Sequence, residues 1–234
     1  MTTAVLLISD TTMLNVEYMW GLLPVLLSYL PLTLQMASIA MVFALVIACL
    51  LAVVRVLKIP VLNGAALLFI SFFRGTPLLV QLFLFYYGLP QLIDALISIN
   101  GVTAAVLGLT LHFSAYMAES IRAAIVGIDR SQTEAALSIG MTQPQLMRRI
   151  ILPQATRVAT PTLMNYFIDM IKATSLAFTL GVTELMGATQ KEASGSFLYL
   201  EAFLLVAIIY WVVVEALSWG QRRLETYLNK AYQR

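Results

Sequence analysis

Arg74, Gln81, Glu119, Asp169 and Lys172 are charged or strongly polar side chains set within apolar runs. They are the residues with which this chain could do chemistry, and that chemistry is ion pairing and hydrogen bonding. A charged group costs roughly 2.5–3.5 kcal/mol at membrane depth, so it turns toward a partner or a polar interior. Asp169 and Lys172 stand three residues apart, as do Glu119 and Arg122. Each pair can neutralise itself on one helix face or offer itself to a ligand. Asn165, Thr174 and Ser175, with Gln81, are neutral hydrogen-bonders that either hold a polar ligand or tie helices together. Arg74 and Thr76 flank a helix break at Pro77, where an arginine could latch a gate, brace the backbone or hold an anion. His112 reads as a satisfied buried imidazole rather than a proton relay. One histidine and one cysteine, Cys49, leave no metal cluster and no clustered nucleophiles. No GxxxxGK[ST] string occurs, so no P-loop binds ATP here.

The elements that must position these residues are membrane helices. The chain is 60% hydrophobic and 11% charged, where soluble domains carry about 25% charged residues. Lipid must cover part of so much apolar surface. The net charge of +2 points to no nucleic acid. An all-α membrane protein follows, a single domain over 1–234 with about five spans: 32–54, 61–93 broken at 74–77, 101–125, 160–180 and 197–220. Pro24 and Pro31 are expected to break off the start of the first span. Asp10, Glu17, Tyr18 and Trp20 then form an interfacial lead-in. The lead-in lacks the positive region of a signal peptide, so no cleavage is expected. Residues 183–195 are expected as a short surface helix, and 221–234 as a helical tail.

Basic residues set the orientation. Arg55 and Lys58 follow the first span, and Arg122, Arg130, Arg148, Arg149 and Arg157 flank the central loop. Arg222, Arg223, Lys230 and Arg234 lie in the tail, while Lys191 alone falls in an opposite loop. The three groups share one face if the N-terminus is outside and the C-terminus is cytosolic.

The central loop, 126–157, holds Ser131 to Pro153, which reads as two short helices. Ser131 with Glu134, and Thr142 with Gln145, have capping-box spacing. Gly140 between them suits a C-terminal cap. The string Glu134-Ala135-Ala136, Gly140, Ile150 and Leu152-Pro153 resembles the EAA signature of permease subunits of ATP-binding-cassette importers, with every position filled at the family's spacing. Phe73-Arg74-Gly75-Thr76-Pro77-Leu78-Leu79-Val80-Gln81-Leu82 and Tyr86-Tyr87-Gly88-Leu89-Pro90 resemble the polar-amino-acid branch, which includes histidine, glutamine, arginine and cystine permeases. Lys172-Ala173-Thr174-Ser175-Leu176 resembles that branch's Lys-Asp-Thr-Ser-Leu segment, with Ala173 in place of the aspartate.

The resemblance implies the type I importer permease fold in a bacterial cytoplasmic membrane. It implies a transport subunit, not an enzyme, that moves a polar amino acid, L-cystine among the candidates. Glu134, Ala135, Ala136, Gly140, Ile150, Leu152 and Pro153 would couple it to two cytosolic ATPase subunits, which carry the ATP and magnesium; this chain holds no cofactor. A second permease copy or paralogue and an extracytoplasmic binding protein complete the assembly. Arg74, Thr76, Gln81, Glu119, Asn165, Asp169, Lys172, Thr174 and Ser175 are the substrate-pathway candidates. An ion-gradient-driven secondary transporter would instead show two opposed repeats, and none is visible.

Overall fold

The computed structural model of the protein describes residues 14–94 and 97–230. Among them every regular element is a helix. These are α1 (Val16–Leu57), α2 (Leu62–Gly75), α3 (Leu78–Phe83), α4 (Gly101–Val126), α5 (Arg130–Ser138), α6 (Gln143–Leu146), α7 (Leu152–Ala173), α8 (Leu185–Ser196) and α9 (Tyr199–Lys230). Wide π-type turns follow α3 (Leu84–Gly88) and α6 (Met147–Ile151), and tight 3-10 turns cover Leu89–Gln91 and Thr174–Leu180. Asp10 and Arg234, assigned above to the lead-in and the tail, lie outside the described residues.

α1 is one helix of 42 residues, and Pro24 and Pro31 do not break it. Its first turn is capped by Asn15, whose side chain accepts from the Tyr18 N–H at 2.9 Å. Membrane helices tolerate interior proline because neighbouring helices and local backbone adjustments re-satisfy the freed groups. The first helix therefore starts at Val16 rather than at the expected 32, and it ends at Leu57 against a left-handed Lys58. α1 packs most extensively on α4. Ala37, Ala40, Ala44 and Ala48 form a fully buried ladder on α1 and share a core with Leu109, Phe113 and Met117 of α4. Small residues at this spacing let two helices approach closely where lipid supplies no hydrophobic drive.

Among the described residues three helices are long and apolar enough to cross a membrane: α1, α4 and α9 over Tyr199–Tyr227. α2 and α3 add a fourth if the pair counts as one span, for it bends by 110° at the expected break. α7 carries Arg157, Asp169 and Lys172 beside Gln154 and Asn165 and does not join that set. Trp20, Val42, Phe43, Leu50, Leu68 and Trp211 are exposed, more apolar surface than a soluble protein presents. The chain is an all-α, multi-pass membrane protein.

The 183–195 segment forms a helix, α8, but not on the surface. Leu185, Ala188, Thr189 and Ala193 are buried. Glu184 caps α8 by accepting from the Gly187 N–H at 2.9 Å. The Glu184 carboxylate also accepts from Thr33 Oγ1 of α1 at 3.1 Å and from the Tyr210 hydroxyl of α9 at 3.3 Å. Thr33 Oγ1 in turn accepts from the Leu185 N–H at 3.1 Å. A fully buried carboxylate thus has its lone pairs filled by three elements, as burial demands. Gly187 is obligatory here, since a Cβ would stand 2.3 Å from the Val182 carbonyl oxygen.

Candidate functional site

The cap of the EAA-like loop stands two residues earlier than its spacing suggests. Asp129 is the N-cap of α5, its Oδ1 accepting from the Ser131 N–H at 2.9 Å. That bond, with the Ser131 hydroxyl, holds the Asp129 carboxyl below the usual carboxylate range. The expected Ser131–Glu134 box is absent because, with Arg130 as the first helical residue, Glu134 lies two positions past N3. The Thr142–Gln145 box is present, with Gln145 Oε1 accepting from the Thr142 N–H at 2.9 Å. Gly140 closes α5 at φ +80. The Gly140 N–H reaches the Leu137 carbonyl at 3.0 Å and the Met141 N–H reaches Ala136 at 3.1 Å, the two bonds of a Schellman motif.

This closure sorts the motif residues by direction. Ala136 points inward and packs with Leu146 and Ile151 in a small core, with Ile150 against its edge. Glu134, Ala135, Leu137, Ser138, Ile139 and Gly140 are exposed. A Cβ on Gly140 would meet nothing within 4 Å, so the space beyond it is open. Glu134 makes no ion pair among the described residues. Leu152 and Pro153 are exposed at the start of α7, directly after the wide turn Met147–Ile151.

α6, the wide turn and α7 run without interruption from Gln143 to Ala173, a rod of roughly 45 Å. The expected separate fourth span, 160–180, is the far part of this rod, followed by the tight turn Thr174–Leu180. Gln154 Nε2 donates to Gln132 Oε1, which fastens the rod to α5. Thr162, Asn165, Asp169 and Lys172 are exposed along one face of α7. Lys172 Nζ and Asp169 Oδ1 pair at 2.7 Å, both about half exposed. Asn165 Oδ1 accepts from Gln221 Nε2 of α9 at 3.0 Å.

The α2–α3 bend is held by Gln81. Breaking a helix orphans its last carbonyls. Gln81 Nε2 donates to the Phe73 and Thr76 carbonyls, each at 3.1 Å, and to Thr76 Oγ1 at 2.7 Å. The Thr76 hydroxyl donates to the Phe72 carbonyl at 2.8 Å. Because carbonyls only accept, they fix which end of the Gln81 amide faces them. Its Oε1 therefore faces His112 Nδ1, 3.1 Å away, and that nitrogen carries the proton. Gln81 is 1% exposed and spends its polar atoms on this brace. Thr174 is equally buried and donates to the Ile171 carbonyl at the end of α7. Ser175 follows it, half-buried.

Arg74 is exposed, its guanidinium 5.4 Å over the Tyr116 ring of α4. The Tyr116 hydroxyl donates to Arg74's own carbonyl at 3.3 Å. Tyr116 lies 6.1 Å from the Tyr166 ring of α7, and Tyr166 Oη bonds Ser120 Oγ at 3.1 Å. Tyr116, Ser120 and Tyr166 join the polar face of α7 to Arg74. Sequence spacing shows only that Tyr116 and Ser120 share a face of α4; their link to Tyr166 depends on how α4 meets α7. Glu119 stands apart from them. Arg122 Nη2 binds it at 2.8 Å, and Arg55 Nε of α1 lies 3.6 Å away. Arg55 also donates to Asn63 at 2.8 Å, beside the start of α2. The expected Glu119–Arg122 pair is present, enlarged by Arg55 into a clasp between α1, α2 and α4.

Residues 40–230 match the family described as binding-protein-dependent transport system inner membrane component. The chain belongs to that family. It is a multi-pass permease subunit of the inner membrane, and ATP hydrolysis is the work of a separate subunit. It is 64% identical over 218 residues to the probable amino-acid ABC transporter permease protein PatM of Vibrio harveyi, covering 93% of this chain and 98% of PatM. It is 41% identical to the L-cystine transport system permease protein TcyL of Bacillus subtilis, covering 88% of each. A solved structure described as an amino acid ABC transporter with histidines matches at a TM-score of 0.85 and 33% identity, over 93% of this chain and 99% of that one.

Proposed function

We propose that the cargo is a polar amino acid and that a pair of cytosolic ATPases drives its uptake through the outward face of α5. The amino-acid permeases that the chain is similar to support the cargo class, and L-cystine, carried by one of them, is one candidate. α1, the α2–α3 pair, α4, α7 and α9 are the five spans, with the N-terminus outside. That topology gathers the basic clusters around α5 and the C-terminus on the cytosolic side. An extracytoplasmic protein delivers the substrate, and a second permease copy or paralogue faces α7.

The observation that carries this reading is the continuous rod from Gln143 to Ala173. One end is fastened to α5 through Gln154 and Gln132. The other bears Asn165, Asp169 and Lys172, and Arg74 lies across Tyr116 and Tyr166 from it. Glu134, Ala135 and Gly140 seat in the ATPase, while Leu152 and Pro153 flank the contact. Ala136 and Ile150 keep α5 on its base. When ATP draws the two ATPases together, the loop and rod move as one body and switch the pathway from inward-open to outward-open. Thr76, Gln81, Thr174 and Ser175 hold the helix ends that frame the pathway, and Glu119 clasps its inner rim. Uptake of labelled amino acids by vesicles bearing the whole complex tests this. Uptake that requires ATP and survives ionophores is expected; uptake that ignores ATP and collapses with ionophores would overturn it.

A further inference from the structure

Where α1 turns into α2, an apolar groove runs up to positive charge that the chain leaves unbalanced. Leu51 and Val54 of α1 line one wall of the groove, and Leu62, Ala65, Ala66 and Phe69 of α2 line the other. Its volume is about 290 Å³, and no polar side chain lines it. The two alanines leave it open. Because α1 is apolar enough to cross a membrane, the mouth of the groove faces lipid.

Lys58 stands one turn beyond Val54, at the end of α1, roughly 10 Å along the helix from Leu51. It is exposed and makes no ion pair among the described residues. Arg55 has to share Glu119 with Arg122. The carboxylate meets Arg122 at 2.8 Å and Arg55 Nε only at 3.6 Å. Arg55 Nε is left buried there without a hydrogen-bond partner. α2 opens with no side-chain cap and no acidic residue in its first turn, so its positive dipole end adds to the same rim. An apolar slot takes a lipid tail, and unbalanced positive charge takes a phosphate. Here the two adjoin, with the charge at the end of the slot where a headgroup would lie.

We propose that this groove holds an anionic phospholipid, with an acyl chain against Leu51, Ala65 and Phe69 and the headgroup phosphate at Lys58 and Arg55. A basic residue at a membrane surface is worth roughly fivefold in affinity for an anionic headgroup. A zwitterionic lipid of the same tails fills the groove but gains little at the rim. The bound lipid fastens α1 to α2 beside the Glu119 clasp. The site is independent of which cargo the permease moves. The topology proposed above puts it in the cytoplasmic leaflet, and an assay in detergent reads it in either leaflet, so the two fail separately.

The test uses the full-length permease with its ATPase in non-ionic detergent. Native mass spectrometry follows retained lipid as phosphatidylglycerol or phosphatidylcholine of matched chains is titrated in. The wild-type complex is expected to hold phosphatidylglycerol at least tenfold more tightly. Lys58→Gln cuts that preference at least threefold. Ala65→Trp, which fills the groove, weakens both lipids at least fivefold. Arg223→Gln removes another exposed cation, 4.9 Å over the Trp219 ring, and changes neither. Equal retention of the two lipids by the wild type overturns the proposal. So does Lys58→Gln with the wild-type preference, or Arg223→Gln with the same loss, since surface charge at large would then hold the lipid. Glycerol 3-phosphate that displaces phosphatidylglycerol at matched concentration also overturns it, for the site would then take the free anion. An Ala65→Trp permease that stays folded by circular dichroism but parts from its second copy makes the groove an interface and overturns it too. If that variant does not fold, the Lys58→Gln comparison decides alone.

Discussion

Gly140 separates the folding of α5 from its use. Its φ of +80 places it in the left-handed region, and it closes the helix through two backbone bonds at 3.0 and 3.1 Å. A Cβ there meets nothing in the chain, so Gly140→Ala costs only the backbone strain. That strain is about 1–2 kcal/mol, or roughly a five- to thirty-fold loss in the closed form of the loop. Gly140→Asn is milder for the fold, because asparagine tolerates the left-handed region. Its side chain, however, fills the open space that the ATPase is proposed to occupy. Forcing atoms into a packed contact costs about 1–3 kcal/mol, roughly five- to 150-fold in affinity. The assay is titration of the ATPase onto nanodisc-held permease, with thermal unfolding of the permease read in parallel. Gly140→Asn is expected to unfold near the wild-type temperature and to bind the ATPase at least five-fold more weakly. Wild-type binding by Gly140→Asn, with weakening only in Gly140→Ala, would show that loop closure matters and that this surface touches nothing.

Gln81→Leu removes the donor that satisfies the Phe73 and Thr76 carbonyls and strands His112 Nδ1; the loss is about 1–3 kcal/mol for buried groups left unpaired, read as a lower midpoint in detergent unfolding, with Gln81→Glu recovering less than wild type because one donor nitrogen is gone. Gly187→Ala forces a Cβ to 2.3 Å from a backbone oxygen that cannot swing aside, so α8 shifts and the permease loses stability on the scale of overpacked cores, about 1–3 kcal/mol by the same unfolding measurement. For Asp129 the folded carboxyl titrates below its ordinary 3.8. Its capping contribution is therefore complete above that value and lost as pH falls through the lower folded one. Proteolytic nicking of the 126–157 loop is expected to stay constant from neutral pH to about 5 and rise only in stronger acid, and Asp129→Asn, which still caps, is expected to remove that rise.

The features readable from sequence are those set by neighbours along the chain. The Thr142–Gln145 box, the Asp169–Lys172 and Glu119–Arg122 pairs, the break at Pro77 and the left-handed turn at Gly140 all depend on spacings of a few residues. What escaped depends on who lies across the bundle. Gln81 has the look of a ligand group, and only the 110° bend reveals that the carbonyls of Phe73 and Thr76 claim it. Glu184 and Thr189 made 183–195 look solvated, yet Thr33 and Tyr210 from distant helices satisfy that carboxylate in the interior. Pro24 and Pro31 suggest a break because local rules penalise helix-interior proline, a penalty that membrane packing relieves. The cap of α5 moved from Ser131 to Asp129 because two good capping residues compete within three positions, and Asp129 has the stronger, charged acceptor. The fourth span eluded a clean boundary because α6 and α7 are one rod, which no turn residue marks.

The central claim is that the outward face of α5 lies in the cytosol, against an ATPase. Ala135 is exposed on that face, and Cys49 is the sole cysteine to remove first. An Ala135→Cys permease in a Cys49→Ser background is to be treated with a membrane-impermeant maleimide. The account predicts labelling only in inside-out vesicles stripped of ATPase, and protection when the ATPase is added back. Labelling in right-side-out vesicles, or labelling that the ATPase leaves unchanged, would contradict it.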